Sequence, residues 1–234
     1  MLVQHAQHTT KHIVLINPNT SKATTEMMTD IARSVLPADV TIEGVTATSG
    51  VPMILDDNQL AAAAAGVVEM GLVAARFCDG IIVCAFGDPG IEQLRDLTKV
   101  PVVGICEASM LEASAHGRRF GIATVTPNLV NGFARKADGL GLGQLFTGTR
   151  LTNGDPQKLA ADPERLQAEL AFAVEQAFEL DGAEAVIIGG GPLGQAAVEL
   201  GRRFSRPVIA PITAAVASLL LQIKATSPAS NPSS

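Results

Sequence analysis

The segment that decides the fold of this 234-residue chain reads Asp79-Gly80-Ile81-Ile82-Val83-Cys84-Ala85-Phe86-Gly87-Asp88-Pro89-Gly90. An apolar run followed by glycine, aspartate and proline is typical of a buried strand that ends in a turn. A related segment lies 105 residues later and reads Glu184-Ala185-Val186-Ile187-Ile188-Gly189-Gly190-Gly191-Pro192. Each copy leads into a helix-period segment and a further apolar run, so the chain contains an internal repeat.

Short apolar runs alternate with helix-period segments along the chain. The predicted strands are 13–16, 40–45, 80–84, 101–105, 120–124, 145–151, 185–188 and 207–210, and the predicted helices are 21–36, 57–77, 90–97, 107–115, 127–140, 163–180, 192–204 and 212–224. Strands that are apolar throughout and separated by helices predict parallel sheets covered on both faces. We therefore predict an α/β fold of two pseudo-symmetric, doubly wound lobes, with an active-site cleft between them.

The repeat also predicts where the lobes begin and end. Residues 13–18 correspond to residues 120–125 at an offset of 107. The first lobe is expected to cover 12–117 together with a C-terminal helix at 212–224, and the second lobe to cover 118–210. The polar segments 1–11 and 225–234 are expected to be flexible tails.

Composition argues against several classes of protein. A net charge of −6 without a basic stripe disfavours nucleic acid as a partner. No apolar run reaches the roughly 18 residues of a membrane span, and the N-terminal segment lacks the apolar stretch of a secretory signal. The three cysteines, Cys78, Cys84 and Cys106, are expected to be reduced thiols in a cytoplasmic protein, and no metal-ligand spacing is present.

Candidate substrate-binding residues follow the carboxyl ends of four predicted strands, where open parallel sheets bind ligands. They are Asn17, Asn19, Thr20, Ser21, Ala85, Phe86, Gly87, Thr124, Thr126, Gly189, Gly190, Gly191 and Pro192. Small polar side chains and free backbone N–H groups suit carboxylate or imide oxygens. For Asn17 to Ser21 and for Thr124 and Thr126, capping of the following helix is the alternative role.

Three residues are candidates for proton transfer. Cys84 ends a strand close to a predicted helix, where a thiol can act as base or nucleophile, although free cysteines are often buried and inert. Asp88 and Glu107 are the carboxylates nearest the predicted cleft. Asp88 also suits a turn, and the charge of Glu107 suits the first turn of a helix.

At these residues the sequence resembles the aspartate/glutamate/hydantoin racemase superfamily, and within it the hydantoin and allantoin racemases. The resemblance covers residues 12–224, and its matching pieces are residues 16–21, 86–90, 102–108 and 117–120. It implies a cofactor-independent mechanism in which two cysteines face each other across the cleft. One thiolate removes the proton alpha to a carbonyl, and the other thiol protonates the opposite face.

The sequence departs from that pattern at both cysteine positions. Ala85 stands directly before the Phe86-Gly87-Asp88-Pro89-Gly90 motif, and Gly190 stands at the second position. Cys84 is one residue earlier than expected, which in a strand turns a side chain to the opposite face unless a bulge intervenes. Three interpretations remain open: a one-thiol enzyme using Cys84, an acid–base role for Asp88 or Glu107, and binding without turnover.

The resemblance implies a racemase-like isomerase that acts on a small hydantoin-like ring or a carboxylic acid by proton transfer alpha to a carbonyl. A hydrolase or decarboxylase of the same fold, using a carboxylate or a single thiol, is the first alternative, and a non-catalytic small-molecule binding protein is the second. The expected partner is a small molecule, without nucleic acid, membrane, cofactor or metal. A homo-oligomer is also expected, and the candidate contact segments are 57–77 and 214–221.

Overall fold

The computed structural model describes residues 10–226. Its strands are β1 (Lys11–Asn17), β2 (Val40–Thr46), β3 (Gly80–Val83), β4 (Val102–Gly104), β5 (Phe120–Thr124), β6 (Phe146–Leu151), β7 (Ala185–Ile188) and β8 (Val208–Ile209). Its α-helices are α1 (Lys22–Arg33), α2 (Asp57–Ala74), α3 (Ile91–Leu97), α4 (Ile105–Ala113), α5 (Val130–Gly139), α6 (Pro156–Ala160), α7 (Pro163–Glu179), α8 (Gly194–Arg203) and α9 (Pro211–Thr226). Short 3-10 turns lie at Ala115–Gly117 and Gly191–Leu193.

The strands form two parallel sheets of four strands each, which confirms the predicted α/β fold. The strand order is β2-β1-β3-β4 in the first sheet and β6-β5-β7-β8 in the second. The same order recurs when β1 to β4 are replaced by β5 to β8, so the two sheets repeat one topology. The two central strands of each sheet, β1 with β3 and β5 with β7, bring their carboxyl ends to adjacent positions.

A continuous apolar core joins the two lobes. One cluster of buried side chains includes Ile13 and Ile82 from the first sheet and Phe120 and Ile187 from the second. Separate clusters cover the outer face of each sheet, beneath α2 in the first lobe and α7 in the second. Burial on both faces explains why β3 and β7 are apolar at every position.

Several element ends differ from the prediction. β3 ends at Val83, so Cys84 is the first residue after the strand. Helix α4 begins at Ile105, which places Glu107 in its first turn. Helix α6 was not predicted, and its start follows from Asp155, whose side chain accepts hydrogen bonds from two backbone N–H groups.

The chain ends also carry structure beyond the predicted lobes. Lys11 begins β1 and α9 continues to Thr226, while the rest of the two predicted tails, 1–9 and 227–234, lies outside the described residues. Four side chains of α9 that were expected in a subunit contact, Ala214, Ala215, Val216 and Leu219, are buried within the chain. Within residues 10–226 no helix is both long and apolar enough to span a membrane.

Candidate active site

A cavity of about 40 Å³ lies between the lobes, where the loops after β1, β3, β5 and β7 meet. Its lining residues are Asn19, Met53, Ile54, Leu60, Cys84, Ala85, Phe86, Val125, Thr126, Leu129, Gly189, Gly190, Gly191, Pro192 and Leu193. Nine of the predicted site residues are therefore brought together. The cavity has an apolar wall with a few polar groups, which is the usual composition of a small-molecule site.

The ends of β3 and β7 touch across this cavity. A Cβ built on Gly189 would lie 2.7 Å from Cγ2 of Ile122 and 3.2 Å from Cε1 of Phe86. A Cβ on Gly191 would lie 2.9 Å from Sδ of Met28. A side chain at either position would force these neighbours to move, so glycine lets the backbone itself form one wall of the cavity.

The loop after β1 carries two asparagines: Asn17 is buried away from the cavity, and Asn19 lines it. Nδ2 of Asn17, a fully buried residue, donates to Oδ1 of Asn19, to the Ser21 carbonyl and to Oγ1 of Thr25. Oδ1 of Asn19 also accepts from the backbone N–H of Ser21. Both bonds to Asn19 come from N–H donors, which orients its amide and leaves Nδ2 without an acceptor in the described part of the chain.

The other two predicted members of this loop have structural partners. The Ser21 hydroxyl caps α1 by accepting from the backbone N–H of Thr24. The backbone N–H of Thr20 donates to the carbonyl of Val51. Neither residue lines the cavity, and Asn17 and Gly87 lie outside its lining as well.

Two threonines after β5 have different surroundings. The Thr124 hydroxyl is buried and donates to the Gly189 carbonyl at 2.6 Å, which ties β5 to the β7 loop. The Thr126 hydroxyl lies 3.1 Å from that of Thr124. Because Thr124 has a single proton and donates it to Gly189, Thr126 is the donor in this pair. The Thr126 oxygen keeps lone pairs that can accept a hydrogen bond, and Thr126 lines the cavity.

Cys84 is the one ionisable side chain among the cavity-lining residues of the described chain. It is 2% exposed and shares a buried cluster with Ile82, whereas Val83 belongs to the cluster on the opposite face. Burial raises the pKa of the Cys84 thiol well above its usual range, and the nearby charge of Asp88 adds to the effect. At neutral pH the side chain is therefore a thiol. Ala85 and Gly190 also line the cavity, and neither has an ionisable side chain.

Asp88 and Glu107 lie outside the cavity lining and are engaged in ion pairs. The carboxylate of Asp88 accepts from the backbone N–H groups of Cys106 at 2.9 Å and Glu107 at 2.8 Å, at the start of α4. Lys136 Nζ lies 3.2 Å from Oδ2 of Asp88 and 3.5 Å from Oε2 of Glu107. Glu107 also accepts two hydrogen bonds from Arg95. Both carboxylates are thus occupied by partners within the chain.

Sequence reasoning missed two groups of residues. The apolar wall is formed by Met53 and Ile54, from the segment between β2 and α2, and by Leu60 in the first turns of α2, and neither stretch carries a motif. Lys136 sits on a helix surface in the second lobe, where a lysine is ordinarily solvated. Only the docking of the lobes gives these residues their positions. Within the ranges described, no group of three His, Cys, Asp or Glu side chains is arranged to hold a metal ion.

Comparison with known proteins shows the family of the chain. The profile described as Asp/Glu/hydantoin racemase matches residues 13–219. The chain belongs to this family. A hydantoin racemase of Pseudomonas sp. (strain NS671) is 30% identical over 205 residues, which covers 87% of this chain and 82% of the relative.

Solved structures of other proteins share the fold of the chain. An allantoin racemase from Klebsiella pneumoniae has 30% sequence identity and a TM-score of 0.87, with 92% of this chain and 88% of the other covered. An arylmalonate decarboxylase shares the fold, with a TM-score of 0.66 at 17% identity and coverage of 91% and 92%. The hydantoin and allantoin racemases support an isomerase of the racemase type.

Proposed function

We propose that this family member is a cofactor-independent isomerase that acts on a neutral, hydantoin-like ring by proton transfer alpha to a carbonyl. The observation that carries the proposal is the polar pattern of the cavity. Asn19 supplies an N–H donor and Thr126 supplies an acceptor, while Asp, Glu, Lys and Arg are absent from the cavity-lining residues of the described chain. A donor and an acceptor lining one cavity match the C=O and N–H groups of a cyclic amide, whereas a carboxylate would lack a cation there.

Cys84 is the proposed proton-transfer group. Its thiolate would take the ring proton next to the carbonyl, and the resulting thiol would return a proton to the same carbon. The electron pair of the broken C–H bond moves onto the carbonyl oxygen, where the Asn19 amide donates a hydrogen bond. A single thiol serves one face of the planar intermediate, so exchange of the proton is expected to outpace inversion.

The size of the cavity bears on how the ring enters. About 40 Å³ has room for only about three water molecules, fewer than the seven heavy atoms of a hydantoin. Met53 and Ile54 lie on a segment outside regular structure, between β2 and α2. We infer that this segment moves away to admit the substrate.

Deuterium uptake tests this proposal. A pure enantiomer of 5-isopropylhydantoin is incubated with the protein in deuterated water, and loss of the C5 proton is followed by NMR and optical rotation by polarimetry. The expected result is catalysed exchange that is lost in Cys84→Ala and retained in Cys78→Ala, a matched variant of a half-buried thiol outside the lining. Equal exchange in the absence of protein would refute the proposal, and ligand-induced thermal stabilisation without exchange would support the binding-protein alternative.

A decarboxylase is the second candidate, and the state of Cys84 favours it. A thiol with a raised pKa is protonated at neutral pH and is suited to deliver one proton to one face of a carbanion left by loss of carbon dioxide. Release of carbon dioxide from phenylmalonate, dependent on Cys84, would support this reaction. Its absence alongside hydantoin exchange would leave the isomerase.

A homo-oligomer and a cytoplasmic location remain proposals. Support for the oligomer comes from α2, where Val73 and the nearby Phe77 are more than half exposed and border a groove of about 410 Å³. Support for the location comes from the three cysteines, which are free thiols. Light scattering coupled to size-exclusion chromatography, with Phe77→Ser as the test variant, measures the oligomer directly.

A further inference from the structure

Lys136 joins the two lobes through a buried ion cluster. It belongs to α5 of the second lobe, whereas Asp88, Glu107 and Arg95 belong to the first. Its side chain is 19% exposed, and that of Asp88 is fully buried. Arg135, the neighbouring residue on α5, also reaches the first lobe, but its pair with Asp57 is exposed on both sides.

Asp88 connects this cluster to the cavity. Its backbone has a φ of 52°, a left-handed conformation that non-glycine residues adopt rarely and only where surrounding contacts hold them. Its N–H donates to the carbonyl of Ala85, which lines the cavity. Its carboxylate accepts the two N–H groups that open α4. Asp88 therefore links the loop at 84–88 to the start of α4 through both its backbone and its side chain.

The electrostatics make Lys136 the partner that Asp88 needs. Burial raises the pKa of Asp88, and Lys136 together with the N–H groups of Cys106 and Glu107 opposes that rise. The other ionisable groups near Asp88 stabilise its charged form less. The Cys84 and Cys106 thiols are buried and protonated, and the Arg95 cation, which also interacts with Asp88, is hydrogen bonded to Glu107. A buried carboxylate that loses its cation is strongly disfavoured in the charged form.

We propose that Lys136 is a positioning residue, which reaches from the second lobe to hold the Asp88 carboxylate and so sets the 84–88 loop against the cleft. Its influence on turnover rests on the proposed function, because the loop matters for catalysis only if Cys84 and Ala85 meet the substrate. The influence of Lys136 on the conformation of the loop does not depend on the proposed function. The role is distinct from catalysis, since neither Lys136 nor Asp88 lines the cavity.

The first measurement needs no substrate. Amide hydrogen exchange is compared in the wild type, in Lys136→Met and in Arg135→Met, which removes the exposed cation one residue away. Faster exchange in peptides covering 84–88 and the start of α4, with β6 unchanged, is expected for Lys136→Met alone. Should that variant not fold, Lys136→Gln receives the same measurement. Unchanged exchange at 84–88 in a folded Lys136 variant overturns the proposal, whether or not hydantoins are substrates.

The second measurement uses 5-isopropylhydantoin and follows its pH dependence. Lys136→Met is expected to lower kcat/KM by about 10- to 100-fold, as for a misplaced reacting group. As the pH falls, Lys136→Met should also lose activity at a higher pH than the wild type. Without Lys136 the pKa of Asp88 rises, so its carboxylate protonates more readily. Adding Asp88→Asn should remove that shift, since an amide does not titrate, and Lys136→Arg should restore most of the activity. An acid limb identical to the wild type would contradict the assignment, whereas absence of any wild-type turnover would count against the proposed function only.

Discussion

The carbonyl oxygen of Cys84 lies 3.1 Å from the position that a Cβ would take on Gly191. These two residues follow β3 and β7, the equivalent strands of the two sheets, so the lobes touch backbone to backbone at the floor of the cleft. The contact leaves no space for a side chain between them. The repeat seen in the sequence thus becomes a physical interface, and part of that interface lies within the candidate site.

Gly191→Ala tests that interface. The added methyl group would meet Sδ of Met28 at 2.9 Å as well as the Cys84 carbonyl, and we expect a loss of about 1–3 kcal/mol in the free energy of unfolding. Urea denaturation measures it. Gly66→Ala on α2 is the control, because nothing lies within 4 Å of its Cβ position and a helical glycine replaced by alanine should gain about 0.5–1 kcal/mol. If Gly191→Ala left the free energy of unfolding unchanged, the lobes would not be packed this closely at Gly191.

Thr124 has a structural hydroxyl, whereas we propose that the hydroxyl of Thr126 binds substrate. Thr124→Val leaves the buried Gly189 carbonyl without its donor, and we expect a loss of about 1–3 kcal/mol in stability. Thr126→Val removes an acceptor from the cavity and should raise KM for 5-isopropylhydantoin with little change in stability. Thermal unfolding and steady-state kinetics on both variants check the pair. The opposite pattern would assign the two hydroxyls the reverse roles.

The pH dependence distinguishes the two candidate reactions of Cys84. Proton removal requires the thiolate, and because burial raises the thiol pKa, exchange at C5 of a hydantoin should rise about tenfold per pH unit from neutral to mildly alkaline pH. Protonation after decarboxylation requires the thiol, so that rate should stay flat over the same range. Rates in Cys84→Ser provide the uncatalysed background. A hydantoin exchange rate that does not vary with pH would argue against Cys84 as the base.

Restoring thiols at Ala85 and Gly190 should convert slow, one-sided exchange into racemisation. In the double variant Ala85→Cys with Gly190→Cys, the new side chains would stand at the two positions that the family resemblance assigns to the catalytic cysteines. A Cβ on Gly190 would lie 3.1 Å from Cγ and Cδ1 of Leu193, and the backbone φ of 159° strains any side chain there, so the variant is also expected to be less stable than the wild type. Loss of optical rotation is expected to accelerate about 100-fold or more. Ala85→Ser with Gly190→Ser is the matched control, and equal gains in both would exclude a role for the thiols.

Much of the fold was readable from local pattern. The apolar runs at Phe120–Thr124 and Ala185–Ile188 predicted both strands at their observed bounds, because a strand buried on both faces must be apolar throughout. Helix α6 escaped prediction because five residues carry too little periodicity to be recognised. The start of α4 was placed too late because β4 runs into the helix without an intervening turn.

The candidate site was predicted in outline and not in detail. Strand-end position alone indicated Asn19, Thr126 and the loop at Gly190, because parallel strands bring their carboxyl ends to one edge. The same reasoning brought in Asp88, whose carboxylate accepts from the start of α4, and Glu107, whose carboxylate is paired with Arg95 and Lys136. It also treated Asn17 and Asn19 alike. Sequence position does not record whether a polar group is already hydrogen bonded, and that decides whether it is available to a ligand.

The sequence by itself determined the repeated α/β topology, the strand ends that meet at the cleft, and the absence of cysteine from Ala85 and Gly190. These follow from apolar periodicity and residue identity, both of which are local properties of the chain. The tertiary structure alone decided that Lys136 reaches Asp88, that Cys84 is buried and protonated, and that Ile54 lines the cavity. Each of these depends on how one lobe docks against the other, and the free energy of that docking is spread over a core shared by many residues that no short segment encodes.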